Sequence, residues 1–370
     1  MPEYKNHFLN IGKTDTEVQK RINDLFQTIF FDEKEKFYFE TPDGSMSYML
    51  DTGNIDARTE GMSYGMMMAV QMNRQDIFDK LWKYAVTYML HSSGVYEGYF
   101  AWSVNPDGTR RAQGPAPDGE EYFAMALFFA SARWGDGEYP FDYLNQARTI
   151  LRHCVHQDEM VEGGNTMWDR DNFLIKFVPE TPFSDPSYHL PHFYELFSER
   201  ADECDREFWK KAANASREYI KASAHPVTGM CPEYAEFDAT PRHMFKKDMD
   251  YYSDAYRVVM NIALDCAWFG KNENLAKIAE NLQKFFYENT EFGVYGSYML
   301  DGTPHPEPAM HPVAITATLA AGSIASDGKY ASEWLERFWN TPIRKGARRY
   351  YDNCLYFFSF LMLAGQYRIY

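Results

Sequence analysis

The chain has 370 residues and a formal net charge of −16. An acidic surface repels the phosphate backbone of nucleic acids, and no cluster of lysines and arginines offsets it, so we expect no nucleic-acid partner. No stretch approaches the roughly 18 apolar residues of a membrane span. The first residues lack the basic and apolar segments of a secretion signal, so we expect a cytoplasmic protein that binds no membrane.

Apolar residues recur three and four positions apart in about twelve segments, which is the spacing of one helix face. Several segments follow one another after a few residues, as the helices of antiparallel hairpins do. No Pro- or Ser-rich linker divides them, so we predict a single all-α domain over residues 1–370. A closed toroid of six hairpins and an open helical solenoid both fit this pattern. The predicted helices span 16–31, 61–74, 76–91, 120–134, 140–155, 190–200, 206–223, 252–270, 273–288, 311–324, 330–340 and 351–365.

Four connectors are long and rich in glycine, proline, aspartate, histidine and aromatic residues. They span 97–118, 157–190, 224–251 and 291–310. Long loops of this composition in a compact domain usually carry function. We expect short strands in two of them, around Tyr99 to Val104 and Phe292 to Leu300.

Glu60 lies where a loop enters a helix, in the segment Thr59-Glu-Gly-Met-Ser-Tyr-Gly-Met-Met-Met-Ala-Val70. An acid in the first turn of a helix is stabilised by the helix dipole, which is an ordinary structural role. The alternative is a general acid, which must stay protonated near neutral pH. Burial or a second carboxylate nearby would then have to outweigh the dipole.

Two further segments carry acids near helix starts. Asp118 follows Pro117 in a turn sequence, so a helix cap explains it as an isolated feature. Asp248, Asp250 and Asp254 fall within seven residues, and Asp254 precedes Arg257 by three positions. That spacing predicts an intrahelical ion pair. A general base oriented by an arginine is the catalytic alternative.

Together the three segments resemble glycoside hydrolase family 8. The first matches the family's S/T-E-G-M-x-Y-G-M-M-x-A-V sequence, and the second matches A-x-D-G-D/E followed by R/Q-W-G, here Ala116 to Glu120 and Arg133 to Gly135. The third matches Y-x-D-A-x-R, here Tyr252 to Arg257. A tyrosine-rich final helix, residues 350–356, also resembles the family's closing segment. The resemblance covers roughly residues 40–370 in the family's order.

The resemblance implies an (α/α)6 barrel of six helical hairpins and an inverting mechanism. It makes Glu60 the general acid, Asp254 the general base, and Asp118 a carboxylate that binds and distorts the sugar between them. Inverting enzymes hold the two catalytic carboxyl groups roughly 6.5–9.5 Å apart, which leaves room for the attacking water. No metal or cofactor is required by this chemistry.

Within the family, the chain resembles the subgroup that releases xylose from the reducing end of xylooligosaccharides. In that subgroup a tyrosine helps the base to hold the water, and Tyr188 occupies the matching position. A Leu-His-Pro loop closes the leaving-group side there, and this chain has Met310-His-Pro312. A wall at that point admits one sugar beyond the cleavage point, so a single xylose would leave at each cut.

Further substrate contacts follow from the same resemblance. We expect Trp102 and Trp168 to be stacking platforms for sugar rings, and Arg58 and Arg257 to position the acid and the base. His311 and Tyr351 complete the expected binding residues.

Two alternatives remain open from the sequence. One is an endo-acting member of the same family, using xylan, glucan or chitosan in an open cleft. The other is a helical toroid without hydrolase activity, such as a sugar epimerase with paired histidines or a scaffold that binds partners. We expect a monomer whose partner is a small xylooligosaccharide.

Overall fold

The computed structural model describes residues 2–244 and 251–370. Twelve α-helices form in these ranges, and each overlaps one of the twelve predicted segments. They are α1 Asp15–Phe31, α2 Thr59–Gln71, α3 Gln75–Tyr84, α4 Pro117–Trp134, α5 Tyr143–Met160, α6 Pro191–Arg200, α7 Arg206–Ser223, α8 Arg257–Phe269, α9 Glu273–Asn289, α10 Pro312–Ala321, α11 Ala331–Asn340 and α12 Arg349–Leu363.

Short strands occur in the connectors, as expected. The strands of the described residues form four antiparallel pairs. Two single strands, Ser103–Val104 and Gly296–Tyr298, fall in the stretches where we predicted strands. The pairs are β1 Tyr38–Glu40 with β2 Ser47–Met49, β3 Ala57–Arg58 with β4 Ser103–Val104, β5 Phe183–Ser184 with β6 Ala235–Glu236, and β7 Gly296–Tyr298 with β8 Pro304–Pro308.

Helix boundaries follow local chemistry. Pro117 and Pro312 open α4 and α10 at the first helical positions, where the missing N–H would have no partner inside the helix. The side chain of Asn272 caps α9 by accepting hydrogen bonds from the amides of Asn274 and Leu275. The helix predicted over 252–270 begins later than expected, at Arg257, because a 3-10 turn over Ser253–Tyr256 precedes α8.

Two kinds of helix alternate along much of the chain. The helices α2, α4, α8, α10 and α12 bury side chains on nearly every face, while α3, α9 and α11 bury one face only. A helix that is apolar all round must be covered on all sides, and an amphipathic helix supplies such cover while facing water with its other side.

The described residues form two compact units. Unit 1 comprises the described parts of Met1–Phe26, Pro182–His192 and Ala213–Arg368, and unit 2 comprises Gln27–Thr181, Phe193–Ala212 and Ile369–Tyr370. Within unit 2, α4 packs against α2 and α5, and within unit 1, α10 packs against α11 and α12. One domain over residues 1–370 stays a prediction. No helix within 2–244 and 251–370 has both the length and the apolar character needed to cross a bilayer.

Candidate active site

In unit 2, strand pairing positions the helix that carries Glu60. Arg58 in β3 pairs with Ser103 in β4, and the amide of Thr59 donates to the carbonyl oxygen of Trp102 at 3.0 Å. The chain passes from β3 directly into α2, so Glu60 lies in the first turn of that helix. Glu60 is half-buried, whereas every other residue of α2 is buried. A single acid is thus presented at the start of an otherwise buried helix.

The start of α4 lies against the start of α2. A β-carbon added at Gly119 would lie 2.4 Å from the β-carbon of Thr59, so only glycine permits this approach. Asp118, the residue before Gly119, is buried with 6% of its surface exposed. Glu60 and Asp118 therefore occupy the first turns of two helices in direct contact.

Glu120 is a further buried acid on α4. Its Oε1 accepts a hydrogen bond from the amide of Phe100 at 3.0 Å, which fixes the connector that holds Trp102. Burial raises the pKa of Glu120 well above its usual value, and the negative charge of Asp118 raises it further. Burial therefore favours the neutral form of Glu120. The motif contained this residue, but nothing in its spacing indicated a role.

Arg58 is anchored between two carboxylates and an aromatic ring. Its guanidinium lies 3.2 Å from Asp56 and 3.3 Å from Asp51, and its centre is 5.3 Å from the ring centre of Trp102. Asp56 also accepts from the hydroxyl of Ser103 at 2.6 Å. Trp102 keeps 36% of its surface exposed, so one aromatic surface beside Arg58 is open to a sugar ring.

Trp168 does not offer such a surface. It is fully buried, with its ring centre 5.0 Å from that of Trp209 and 5.6 Å from that of Tyr194. Both partners approach edge-on, as packed core aromatics do. Contrary to the expectation, Trp168 packs in the core and presents no open face to a sugar ring.

In unit 1, Asp254 and Arg257 form the ion pair that their spacing predicts. Asp254 lies in the 3-10 turn that precedes α8, and its Oδ1 is 3.2 Å from Nη2 of Arg257. The arginine side chain is 4% exposed and the aspartate side chain 26% exposed. A buried cation thus orients a carboxylate that water can reach. Asp248 and Asp250 lie outside the described residues.

The same arginine also contacts Asp185 and Tyr188. Nη2 of Arg257 is 3.8 Å from Oδ2 of Asp185, and the guanidinium lies 5.5 Å from the ring centre of Tyr188. Asp185 caps the 3-10 turn Pro186–Tyr188 by accepting from the amide of Ser187 at 2.7 Å. The structure therefore brings two predicted site residues, Asp254 and Tyr188, next to the guanidinium of a third, Arg257.

Two more carboxyl groups surround Asp254. Burial raises the pKa of Asp185 well above its usual value, with a further increase from the charge of Asp254. Burial also raises the pKa of Glu233 to about 8, and Asp254 adds to the increase. Oε1 of Glu233 accepts from the amide of Asp254 at 3.4 Å. Both neighbours therefore hold their protons more tightly than free carboxyl groups do, and the charge of Asp254 contributes to each increase in pKa.

The segment Met310 to Pro312 also belongs to unit 1. The ring of His311 lies 4.8 Å from the ring of Tyr351, centre to centre, and the hydroxyl of Tyr351 donates to the carbonyl oxygen of Ser253 at 2.7 Å. The hydroxyl of Tyr252 is 3.8 Å from the sulfur of Met310. His311 and Tyr351 are thereby linked to the turn that bears Asp254.

Sequence reasoning missed Glu233 and assigned no role to Asp185. The sequence does carry one signal for Asp185. An aspartate that precedes a proline often caps a turn by accepting a hydrogen bond from the amide two residues later. Glu233 left none, since it lies in a connector 21 residues before Asp254 and approaches it only in the folded chain.

Residues 27–364 match the family described as "Glycosyl hydrolases family 8", and the chain belongs to this family. It is therefore a glycoside hydrolase, and the predicted family is confirmed. Membership removes the epimerase and scaffold alternatives.

Several named relatives extend over the whole chain. The reducing-end xylose-releasing exo-oligoxylanase Rex8A of Paenibacillus barcinonensis is 54% identical, over 99% of this chain and 97% of its own length. An exo-oligoxylanase of the same description from Halalkalibacterium halodurans is 55% identical, over 99% and 94%. The solved structure of Rex8A complexed with xylose matches with a TM-score of 0.96, over 99% of this chain and 97% of that one. The predicted all-α class, (α/α)6, is confirmed by these matches.

Proposed function

We propose that this protein hydrolyses β-1,4-xylooligosaccharides with inversion and releases one xylose from the reducing end at each cut. Three relatives at 50–55% identity carry the name reducing-end xylose-releasing exo-oligoxylanase. A mutant of Rex8A has been solved with an arabinofuranosyl-xylotetraose and matches this chain with a TM-score of 0.97. Endoglucanases of the family are more distant, at 26% identity to the example from Ruminiclostridium josui.

In the proposed reaction, the carboxyl group of Glu60 donates its proton to the glycosidic oxygen as the bond to the anomeric carbon breaks. Water attacks the same carbon from the opposite face, and Asp254 takes a proton from that water. The departing xylose carries the proton of Glu60, and the new hydroxyl lies on the α face of the remaining sugar. Glu60 ends ionised and Asp254 protonated, and exchange with solvent restores both.

The observation that carries this proposal is the cluster around Arg257. The buried guanidinium lies 3.2 Å from Asp254, and its other neighbours include the ring of Tyr188. A general base needs a carboxylate in a fixed orientation, and a buried cation fixes that orientation through the ion pair. The pKa values of the nearby Glu233 and Asp185 are both raised, so these groups compete less as anions for the same cation.

The remaining predicted residues are proposed as substrate contacts. Asp118 binds the sugar at the cleavage point, and Trp102 with Arg58 offers an aromatic surface for a neighbouring ring. His311 and Tyr351 contact the leaving sugar at the Met310–Pro312 segment. A cytoplasmic monomer is part of the proposal and rests on the sequence alone.

A time course on xylotriose and on reduced xylotriose tests the activity. We expect xylose and xylobiose from xylotriose and no cleavage of the reduced substrate, because its terminal alditol lacks the ring that the leaving-group subsite would bind. Proton NMR of fresh xylobiose should show the α anomer.

Two results would contradict the proposal in different ways. Fresh β product would exclude inversion, and with it the roles of Glu60 and Asp254. Equal cleavage of xylotriose and its reduced form would exclude recognition of the reducing end and favour the endo-acting alternative.

A further inference from the structure

Asp352 is a fully buried carboxylate on α12 that contacts three residues from two other segments of unit 1. Its Oδ2 lies 2.8 Å from Nδ1 of His311 and accepts from Nη1 of Arg344 at 2.5 Å. Its Oδ1 accepts from the amide of Ala314 at 2.9 Å. Asp352 is 0% exposed. Hydrogen bonds of this length to a buried carboxylate are among the strong ones in proteins, because charge assists them.

Asp352 serves as the cap of α10 from a different helix. The capping position of α10 is His311, whose side chain makes no capping hydrogen bond. Pro312 has no amide proton, and the amide of Ala314 is satisfied by Asp352. The backbone just after the Met310–Pro312 segment is therefore held from α12.

Arg344 holds the other end of the segment. Besides pairing with Asp352, its Nη1 donates to the carbonyl oxygen of Met310. The backbone of Arg344 is itself fixed by Asn353, whose side chain accepts from its amide at 2.8 Å and donates to its carbonyl oxygen at 2.9 Å. The segment is thus clamped on both sides by residues that adjoin one another in space.

The contact also selects the tautomer of His311. An ionised carboxylate only accepts hydrogen bonds, so Nδ1 of a neutral His311 carries the proton and Nε2 keeps its lone pair. The imidazole ring is further held against Tyr351 at 4.8 Å. Rotation of the ring would break the bond to Asp352 and leave a buried carboxylate short of a partner, which is costly.

We infer that Asp352 is a positioning residue for leaving-group selectivity, acting with Arg344 to fix the Met310–Pro312 segment and the tautomer of His311. This inference rests on the proposed function, because the segment is the proposed wall beyond the first leaving sugar. A wall discriminates between one and two leaving sugars only while it is rigid. The contacts of Asp352 and Arg344 with the segment, called the clamp from here on, supply that rigidity. Asp352 acts through His311 and the backbone and is not itself a catalytic residue.

The test compares Asp352→Asn with Asp265→Asn. Asp265 is a buried aspartate in the same unit, paired with Arg217 at 2.7 Å, and its replacement controls for the loss of a buried ion pair. Each variant is given xylopentaose labelled at the reducing end, and the ratio of two-sugar to one-sugar release is measured. We expect Asp352→Asn to raise this ratio about tenfold, the change that the loss of one buried hydrogen bond produces. Asp265→Asn should leave the ratio unchanged.

Arg344→Met provides a second variant, because Arg344 is partly exposed and its loss perturbs folding less. It should raise the ratio in the same direction. Nitrogen-15 NMR of labelled His311 reports on the clamp independently of activity, and Asp352→Asn should change the tautomer or set the ring in exchange.

The role of Asp352 in selectivity would be overturned if the product ratio stayed unaltered in both variants while the NMR spectrum showed a changed tautomer or ring exchange for His311. An unaltered His311 spectrum would overturn the clamp itself. If the wild-type protein does not cut xylooligosaccharides from the reducing end, the proposed function fails separately. In that case the same NMR spectrum still tests the contact between Asp352 and His311. The effect on selectivity is then measured as the change in product lengths from the oligosaccharide that the protein does cut.

Discussion

The two units hold their acidic residues in different ways. In unit 2 the cation near Glu60 in sequence, Arg58, pairs with Asp51 and Asp56, and Asp118 and Glu120 lie on a buried helix start. In unit 1 the buried Arg257 pairs with Asp254 itself, and the two neighbouring carboxyl groups, Asp185 and Glu233, have raised pKa values. The two arginines therefore differ in exposure. The side chain of Arg257 is 4% exposed and that of Arg58 is 27% exposed, so the arginine beside the predicted base is the more tightly enclosed of the two.

The largest expected effect follows from removing the base. Asp254→Asn should lower kcat on xylotriose by about 10²–10⁴-fold, because no carboxylate then takes a proton from the attacking water. The loss should be of similar size on β-xylobiosyl fluoride, whose departure needs no acid but whose hydrolysis still needs activated water. Steady-state kinetics on both substrates check this, with Asp265→Asn on α8 as the isosteric control. Retained activity on the fluoride would remove Asp254 from the role of base.

The matching change in unit 2 should separate the two substrates. Glu60→Ala should lower kcat on xylotriose by about 10²–10⁴-fold, because the leaving oxygen is no longer protonated. Cleavage of β-xylobiosyl fluoride should stay within about tenfold of wild type, since fluoride leaves without an acid. Glu162→Ala, at an exposed glutamate of the same unit, is the control. Equal losses on both substrates would refute the assignment of the acid.

A smaller effect is expected from Tyr188→Phe. If Tyr188 helps Asp254 to hold the water, its loss should lower kcat about tenfold with little change in KM, because one hydrogen bond to the transition state disappears. Tyr295→Phe removes a different buried hydroxyl of unit 1, one that bonds to Thr316, and should leave kcat unchanged. A large rise in KM for Tyr188→Phe would indicate a contact with sugar instead of water.

The smallest effect concerns stability and not activity. Glu233 has its pKa raised to about 8, so the folded protein keeps a proton that the unfolded chain loses near its ordinary value of 4.5. The folded state binds more protons in this window, and the free energy of unfolding therefore falls as pH rises from about 4.5 to about 8. The side chain in Glu233→Gln does not ionise, so the free energy of unfolding of this variant lacks this contribution to the fall with pH.

Urea denaturation at pH 5, 7 and 9 measures that difference. Relative to wild type, Glu233→Gln should gain about 1–3 kcal/mol between pH 5 and pH 9, after allowance for solvent around a half-buried group. Glu291→Gln, at an exposed glutamate of the same unit, should show no such gain. A pH-independent difference between Glu233→Gln and wild type would mean that Glu233 is already ionised at pH 5.

Much of the fold was predictable because helix periodicity is a local property. All twelve predicted segments contain helices, since the spacing of apolar residues within a segment already determines which face is buried. The family was predictable from motifs in the first, second and third segments, and the family match confirms it. The reducing-end activity, predicted from Tyr188 and the Met310–Pro312 segment, is the proposal made above. The roles of individual site residues stay predictions that the variants above test.

The rest depended on tertiary contacts that no local pattern records. The resemblance predicts Trp168 as a stacking platform, and only the packing of Trp209 and Tyr194 shows that it is buried. Glu233 meets Asp254 across 21 residues, and Asp352 meets His311 across 41. Such partners become visible only when the chain is folded.

The contact at Gly119 also limits how the enzyme can change. Because a β-carbon there would collide with Thr59, position 119 is closed to every other residue type, and the spacing of the helix starts that carry Glu60 and Asp118 is set by the contact of Gly119 with the Thr59 side chain. Laboratory evolution toward new sugars will therefore find its useful mutations in the connecting loops, while a library randomised at position 119 should return glycine alone.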